Sequence, residues 1–302
     1  MRILHEHSWC VRAVAYSPAD PTLLATAGDD GRVLFWNPGT GASRGTLPSR
    51  PPGGGILSLA FSPDGRLLVT GNRSGFLDVW EVAELRQFNA LAWTDGPIGS
   101  VAFAPDSRTV VEAPQPMHGR NYRSRLLSWD VCQRRPECFN REGIVRALAV
   151  APSGGEIVLA DVHRTLEVLE PATFQQRMQV RLANPINRIA LCPAQGERLV
   201  AVASGRLLEC WDLGTSQRRI VSQGKGHRMA VHAIAFTPDG NALLSGGADR
   251  TVRLWDGENG RERTAWNWQI GVIHALAVSP DGMTAAAGGD KGMVVVWDLD
   301  PL

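Results

Sequence analysis

The chain has almost no lysine: Lys225 and Lys291 are the only ones among 31 basic residues, and arginine supplies the rest. Genome base composition explains that bias as readily as a need for forked, permanently charged donors, so by itself it excludes nothing. Excess charge is missing too. A formal net charge of +1 over 302 residues argues against a wholesale electrostatic partner such as bulk nucleic acid or an anionic membrane, and leaves only local patches. No apolar run reaches membrane-spanning length, and the start Met1-Arg2-Ile3-Leu4-His5-Glu6-His7 lacks the apolar segment of a secretory signal. A soluble, cytoplasmic protein is therefore expected.

The five cysteines, Cys10, Cys132, Cys138, Cys192 and Cys210, are odd in number and scattered, which does not read as a disulfide framework; reduced, mostly buried thiols are expected. Cys132 and Cys138 lack the CxxC spacing and accompanying His of a zinc site. No HExxH, GxSxG or P-loop pattern occurs, so the expectation is no catalytic residue, no metal and no cofactor. The acidic residues Asp29, Asp30, Asp64, Asp239 and Asp281 fall at turns, where a short acceptor side chain caps its own backbone, rather than in a calcium loop. With 44% hydrophobic and 20% charged residues, the chain can bury a large core and has no compositional mark of disorder.

What is present is a period. Seven times a short apolar stretch ends in a proline, at Pro18, Pro63, Pro105, Pro152, Pro193, Pro238 and Pro280, and each is followed by a strand anchored at Trp36, Trp80, Trp129, Leu169, Trp211, Trp255 or Trp297. Successive prolines lie 41 to 47 residues apart. A repeat of that length, holding several short strands, signals a radial array of four-stranded sheets, because one such sheet cannot bury its faces alone. The period runs from end to end, so one domain is expected over 1–302, with approximate repeats 1–38, 39–81, 82–131, 132–171, 172–213, 214–256 and 257–302. The Pro-Asp-Gly turns at 63–65, 238–240 and 280–282 suit hairpins, since proline presets φ and glycine accepts the positive φ that follows.

The sixth repeat carries Gly226-His227, Thr237-Pro238-Asp239-Gly240, Asp249 and Trp255-Asp256, and Trp-Asp recurs at 129–130, 211–212 and 297–298. In these features the chain resembles the WD-repeat β-propellers, along its whole length. The resemblance implies an all-β, seven-bladed propeller of four-stranded antiparallel blades. It also implies structural tetrads that tie the strands of a blade together: His7, Thr26, Asp30 and Trp36 in the first repeat, and His227, Ser245, Asp249 and Trp255 in the sixth. The other repeats are incomplete, and the fourth, with Leu169-Glu170 for Trp-Asp, is the most divergent. Too few residues follow Trp297-Asp298 for another strand, so Arg2 to His5 are expected to close the ring as the outer strand of the last blade.

The functional expectation is a non-catalytic scaffold, a monomeric ring that binds a protein or peptide. In this family the loops between second and third strands, and those joining one blade to the next, line the narrower face that most often receives peptides. One such loop is enlarged, at 113–124, and offers Met117, His118, Arg120, Tyr122 and Arg123, residue types enriched at binding hot spots. Trp9, Trp93, Met229 and Trp268 lie beside the His position or its equivalent and would complete a rim. A propeller enzyme acting on a small molecule at the channel mouth is the alternative from another class; it requires His, Asp and Glu converging there. A third reading, nucleic-acid binding through Arg120, Arg123, Arg125, Arg134, Arg135 and Tyr122, has the near-neutral charge against it.

Overall fold

At three turns the physics of the hairpin is visible atom by atom. The hydroxyl groups of Ser62, Thr237 and Ser279 donate to Asp64, Asp239 and Asp281 at 2.6, 2.6 and 2.5 Å, and each carboxylate accepts a backbone N–H two residues on, from Arg66, Asn241 and Met283. The glycine that follows sits at positive φ, 72° at Gly65, 75° at Gly240 and 74° at Gly282, where a Cβ would be strained. These acids are turn caps. A computed structural model describes residues 1–47, 54–92, 96–114, 123–133, 137–142, 144–151, 154–194, 198–222 and 226–299.

Among these residues, 28 strands form seven four-stranded antiparallel sheets, and no helix occurs. Six sheets are consecutive in the chain. The seventh joins Arg2–His5 to Met293–Asp298, with Arg2 opposite Val296 and His5 opposite Met293, so the N-terminal strand closes a seven-bladed propeller. The sequence repeat and the structural blade are thus out of phase by one strand. The first strands of the blades, Val11–Tyr16, Ile56–Phe61, Ile98–Phe103, Val145–Val150, Ile186–Leu191, Val231–Phe236 and Ile273–Val278, each touch the first strands of both neighbours and so surround the axis.

The hydrophobic core is divided into seven clusters, each shared by two adjacent blades. Leu4, for example, is buried with Val11, Val14 and Trp36 of blade 1 and with Val294 and Val296 of blade 7. Close approach at these seams demands glycine: a Cβ at Gly246 would lie 2.5 Å from Ile273 of the next blade, and one at Gly288 would lie 2.6 Å from Val11. Register also corrects the length of the enlarged third-repeat loop. Ala113 and Pro114 pair with Ser100 and Ile98, and Arg123 and Ser124 pair with Glu142 and Arg141, so the hairpin ladders run on into the segment read as loop.

Within the blades the polar cross-link varies. In blade 1 the His7 ring lies 2.9 Å from Asp30 Oδ2 and 2.8 Å from Thr26 Oγ1, to which Trp36 Nε1 also donates. Blade 6 repeats this with His227, Asp249, Ser245 and Trp255. Burial pushes the Asp30 and Asp249 carboxyls up, but the hydrogen bonds they accept outweigh it and hold both below the usual range. Burial lowers the pKa of His227. Elsewhere the indole finds other partners: Thr70 for Trp80, the Gln133 carbonyl for Trp129, Glu209 for Trp211. Blade 4 has Leu169 packed on Ile157 and Leu159 instead.

Glu112 stands in the register position of Thr26 and Ser245, two residues beyond the partner of the anchoring tryptophan. It is buried, neither carboxyl oxygen has a hydrogen-bond partner among the described residues, and burial pushes its pKa from 4.5 to about 8. A raised folded-state pKa contributes stability that is full below the unfolded value and lost as pH rises through the folded one.

Three stability outcomes follow. Deleting residues 1–6 removes Leu4 and uncovers an edge of blade 7, and should cost more than about 3 kcal/mol in denaturant unfolding; an unchanged midpoint would show that the closure is dispensable. Ser245→Ala leaves the Trp255 indole and the His227 ring short of a partner and should cost about 1–3 kcal/mol. Glu112→Gln should be more stable than the parent by a margin that widens from pH 5 to pH 8, by at most about 1.4 kcal/mol per unit, and a margin independent of pH would contradict the buried-acid account.

Candidate docking face

Strands alternate direction, so the end of the ring where first strands begin also carries every connection between second and third strands and every link between blades. Of the positions singled out from the sequence, Trp9, Met229 and Trp268 lie at this upper end. The tetrads position it directly. Asp30 accepts the Ser8 N–H at 3.1 Å and Asp249 accepts the Arg228 N–H at 2.9 Å, which fixes the backbone just before Trp9 and Met229. Those two side chains stand in equivalent places, two residues after the tetrad histidine, and are 64% and 55% exposed. Trp9 is the exposed one among the described tryptophans, the others being buried or half-buried.

Blade 7 lies between them and behaves differently. Its equivalent residue is Gly271 at φ 89°, and Trp268, expected on the rim, is half-buried. Trp268 packs on Trp297 with ring centroids 4.5 Å apart and stacks on Trp266 at 5.8 Å and 14°. The reason is geometric. In blade 6 a Cβ on the equivalent Gly226 would face the Trp255 indole at 3.9 Å, so a side chain at this position is aimed inward. Blade 7 has Gln269, Ala287 and Lys291 in place of His, Ser and Asp, which leaves that space for an aromatic ring; the Trp297 Nε1 has no partner among the described residues.

Trp93, Met117, His118, Arg120 and Tyr122 lie outside the described residues, and Arg123 opens the third strand of blade 3. Nearer the axis, Arg12 donates to Asp29 at 2.7 and 2.9 Å, and Arg73 holds the other oxygen of that carboxylate at 2.8 Å. Each first strand has one bulged residue at its upper end: Arg12, Leu57, Gly99, Arg146, Asn187, His232 and His274. His232 and His274 stack at 5.6 Å and 12°. Burial lowers both pKa values, His274 to about 4, with nearby arginines adding to the effect.

One position escaped the sequence reading. The residue after the bulge is Ala13, Ser58, Ser100, Ala147, Ala233 or Ala275 in six blades, small because the strands converge, but Arg188 in blade 5. Aligning the seven first strands by register would have exposed it; the proline and tryptophan anchors alone do not.

The catalytic alternative asks for a nucleophile or carboxylate against an imidazole. Among the described residues no hydrogen bond joins the His232 or His274 ring to another side chain, and no group of three His, Cys, Asp or Glu is placed to hold a metal. Burial pushes the Cys10 and Cys210 thiols up to about 11 and about 12, away from thiolate chemistry. On the lower face a groove of about 610 Å³ lies between blades 2 and 3, beside Phe88, Arg66 and Arg108.

Comparison with known proteins agrees with this geometry. The family described as WD domain, G-beta repeat matches residues 1–37, 43–81, 218–256 and 269–298. The unmatched middle contains blades 3 to 5, where the tetrad is replaced. The chain is 23% identical over 249 residues to the serine-threonine kinase receptor-associated protein of Gallus gallus, covering 82% of this chain and 67% of that protein. It is 24% identical over 238 residues to apoptotic protease-activating factor 1 of Danio rerio, covering 78% and 16% of the two chains. Protein groucho of Drosophila melanogaster is 27% identical over 144 residues, 44% of this chain and 19% of its own. Of the apoptotic factor and groucho, then, the chain spans less than a fifth of the length.

Proposed function

The chain belongs to the WD-repeat β-propeller family, and from that premise we propose that it is a non-catalytic protein-interaction scaffold that receives a protein or peptide on its upper face. Relatives in this family are generally scaffolds that bind protein partners. The observation that carries the reading is the pair Trp9 and Met229, apolar, more than half exposed and each held by a tetrad-anchored backbone on the two blades that flank blade 7. A rigid support spares a binding site the entropy of ordering it, and an aromatic ring beside an adaptable thioether makes a suitable apolar anchor. The Arg12–Asp29–Arg73 network supplies a polar border on the axial side. Trp93 and the loop residues Met117, His118, Arg120, Tyr122 and Arg123 belong to the same proposed surface.

The test compares affinity capture by the parent with capture by a Trp9→Ala, Met229→Ala double variant and by an Arg120→Ala, Tyr122→Ala, Arg123→Ala triple variant. Loss of two anchors should weaken partner binding at least about 30-fold, as hot-spot truncations do, while the melting temperature stays within about 2 °C, as for surface substitutions. Partners retained in full by the double variant would dismiss this face. Partners retained by the triple variant alone would remove the enlarged loop from the site. A binding constant that falls steeply with salt would favour nucleic acid instead.

A further inference from the structure

The axis of the ring has a one-sided chemistry of which the docking reading uses only the Arg12 network. Going round the upper end of the channel, the bulged residues of five consecutive blades are Arg146, Asn187, His232, His274 and Arg12, blade 5 adds Arg188 from the next position, and blades 2 and 3 contribute Leu57 and Gly99. The polar groups therefore form a continuous arc. Two acids reach it from the surrounding loops, Asp29 and Asp290, and both act on His274. Asp29 is already shared by Arg12 and Arg73. Among the described residues neither Arg146 nor Arg188 has a carboxylate partner, and the Arg188 guanidinium donates only to the Asn187 carbonyl, at 3.0 Å.

The arrangement is electrostatically unfavourable as it stands. Arg188 is open to water yet feels a strong burial effect together with the charges of Arg146 and Arg12, all of which lower its pKa. Arg188 is thus an exposed guanidinium set among neighbouring cations at the axis. Fixed cations crowded in this way raise the energy of the folded ring, and the cost falls when a compact anion enters. Arg188 also stands where the other six blades have alanine or serine, so its bulk is not required for packing.

We propose that the upper end of the axial channel is a binding site for a compact oxyanion of the phosphate class, held by Arg146 and Arg188 and faced by His232, His274 and Arg12. Guanidinium forks match the oxygens of a tetrahedral anion from several directions at once, and two on adjacent blades without a carboxylate partner leave donors free for it. Burial holds both stacked imidazoles below the ordinary histidine range; an anion beside them favours their protonated, donating form. The site is independent of Trp9 and Met229, whose double variant should bind the anion unchanged, so the two readings fail separately.

Binding is measured by calorimetry with inorganic phosphate at pH 7, at ionic strength fixed with sodium chloride. The parent should show saturable binding, and an Arg146→Ala, Arg188→Ala double variant that melts no lower than the parent should lose at least about 30-fold in affinity, as expected for charge-assisted pairs. A second readout follows His274 by NMR in sulfate, whose charge is constant across the range, against chloride. The His274 midpoint, about 4 in the free ring, should rise by roughly one unit in sulfate, and the rise should vanish in the double variant. A phosphoserine peptide run beside free phosphate separates the sources: the tighter ligand shows whether a partner's phosphorylated segment or a small free anion is the occupant. Absence of saturable binding for both ligands, or binding and His274 shifts that survive in the double variant, would overturn the proposal.

Discussion

Burial between blades is the constraint on which everything else depends. No single four-stranded sheet here encloses its own apolar side chains; each of the seven clusters draws on two neighbours, so each blade is stable only as part of a closed circle. Closure by Arg2–His5 follows from this, because an open ring would leave one seam wet and one strand edge unpaired. The glycines opposite Ile273 and Val11 are the same constraint seen at atomic range.

The polar tetrads are a secondary device. Two blades keep all four members and the others do without: three hand the indole N–H to a carbonyl, a glutamate or a lone threonine, blade 4 replaces the tryptophan with leucine, and in blade 7 the Trp297 N–H has no partner among the described residues. Seam packing tolerates this loss. What the tetrads add is local: they pin the upper-face backbone in blades 1 and 6, and there Trp9 and Met229 stand exposed. Where the tetrad is missing in blade 7, the tryptophan beside it turns inward and becomes core. Scaffold and candidate surface are therefore set by one choice at each blade, whether the space above the anchoring indole holds a polar network or an aromatic ring.

The axis is a different environment. Convergence of seven first strands forces small residues at one position and leaves a bulged residue free at the next. The bulged residues include Arg12, Arg146, His232 and His274, and Arg188 stands beside the bulge of blade 5. An arc of arginine and histidine in such a place is a matter of charge, and the acids within reach do not balance it.

The sequence by itself determined the number of blades, their antiparallel order, the turn chemistry and the closing strand. Each of these is carried by residues near one another in the chain: Pro-Asp-Gly, the tryptophan a fixed distance on, the surplus strand at one end. Tertiary structure alone decided that Trp9 and Met229 are exposed while Trp268 is half-buried, that Glu112 is buried without a hydrogen-bond partner among the described residues, and that Arg146, Arg188, His232, His274 and Arg12 gather at one end of the axis. Those outcomes turn on what stands at the equivalent place in the same or a neighbouring blade, some 40 residues away in the repeat. A local pattern carries no record of that neighbour, because radial packing brings the two positions together only after the ring has closed.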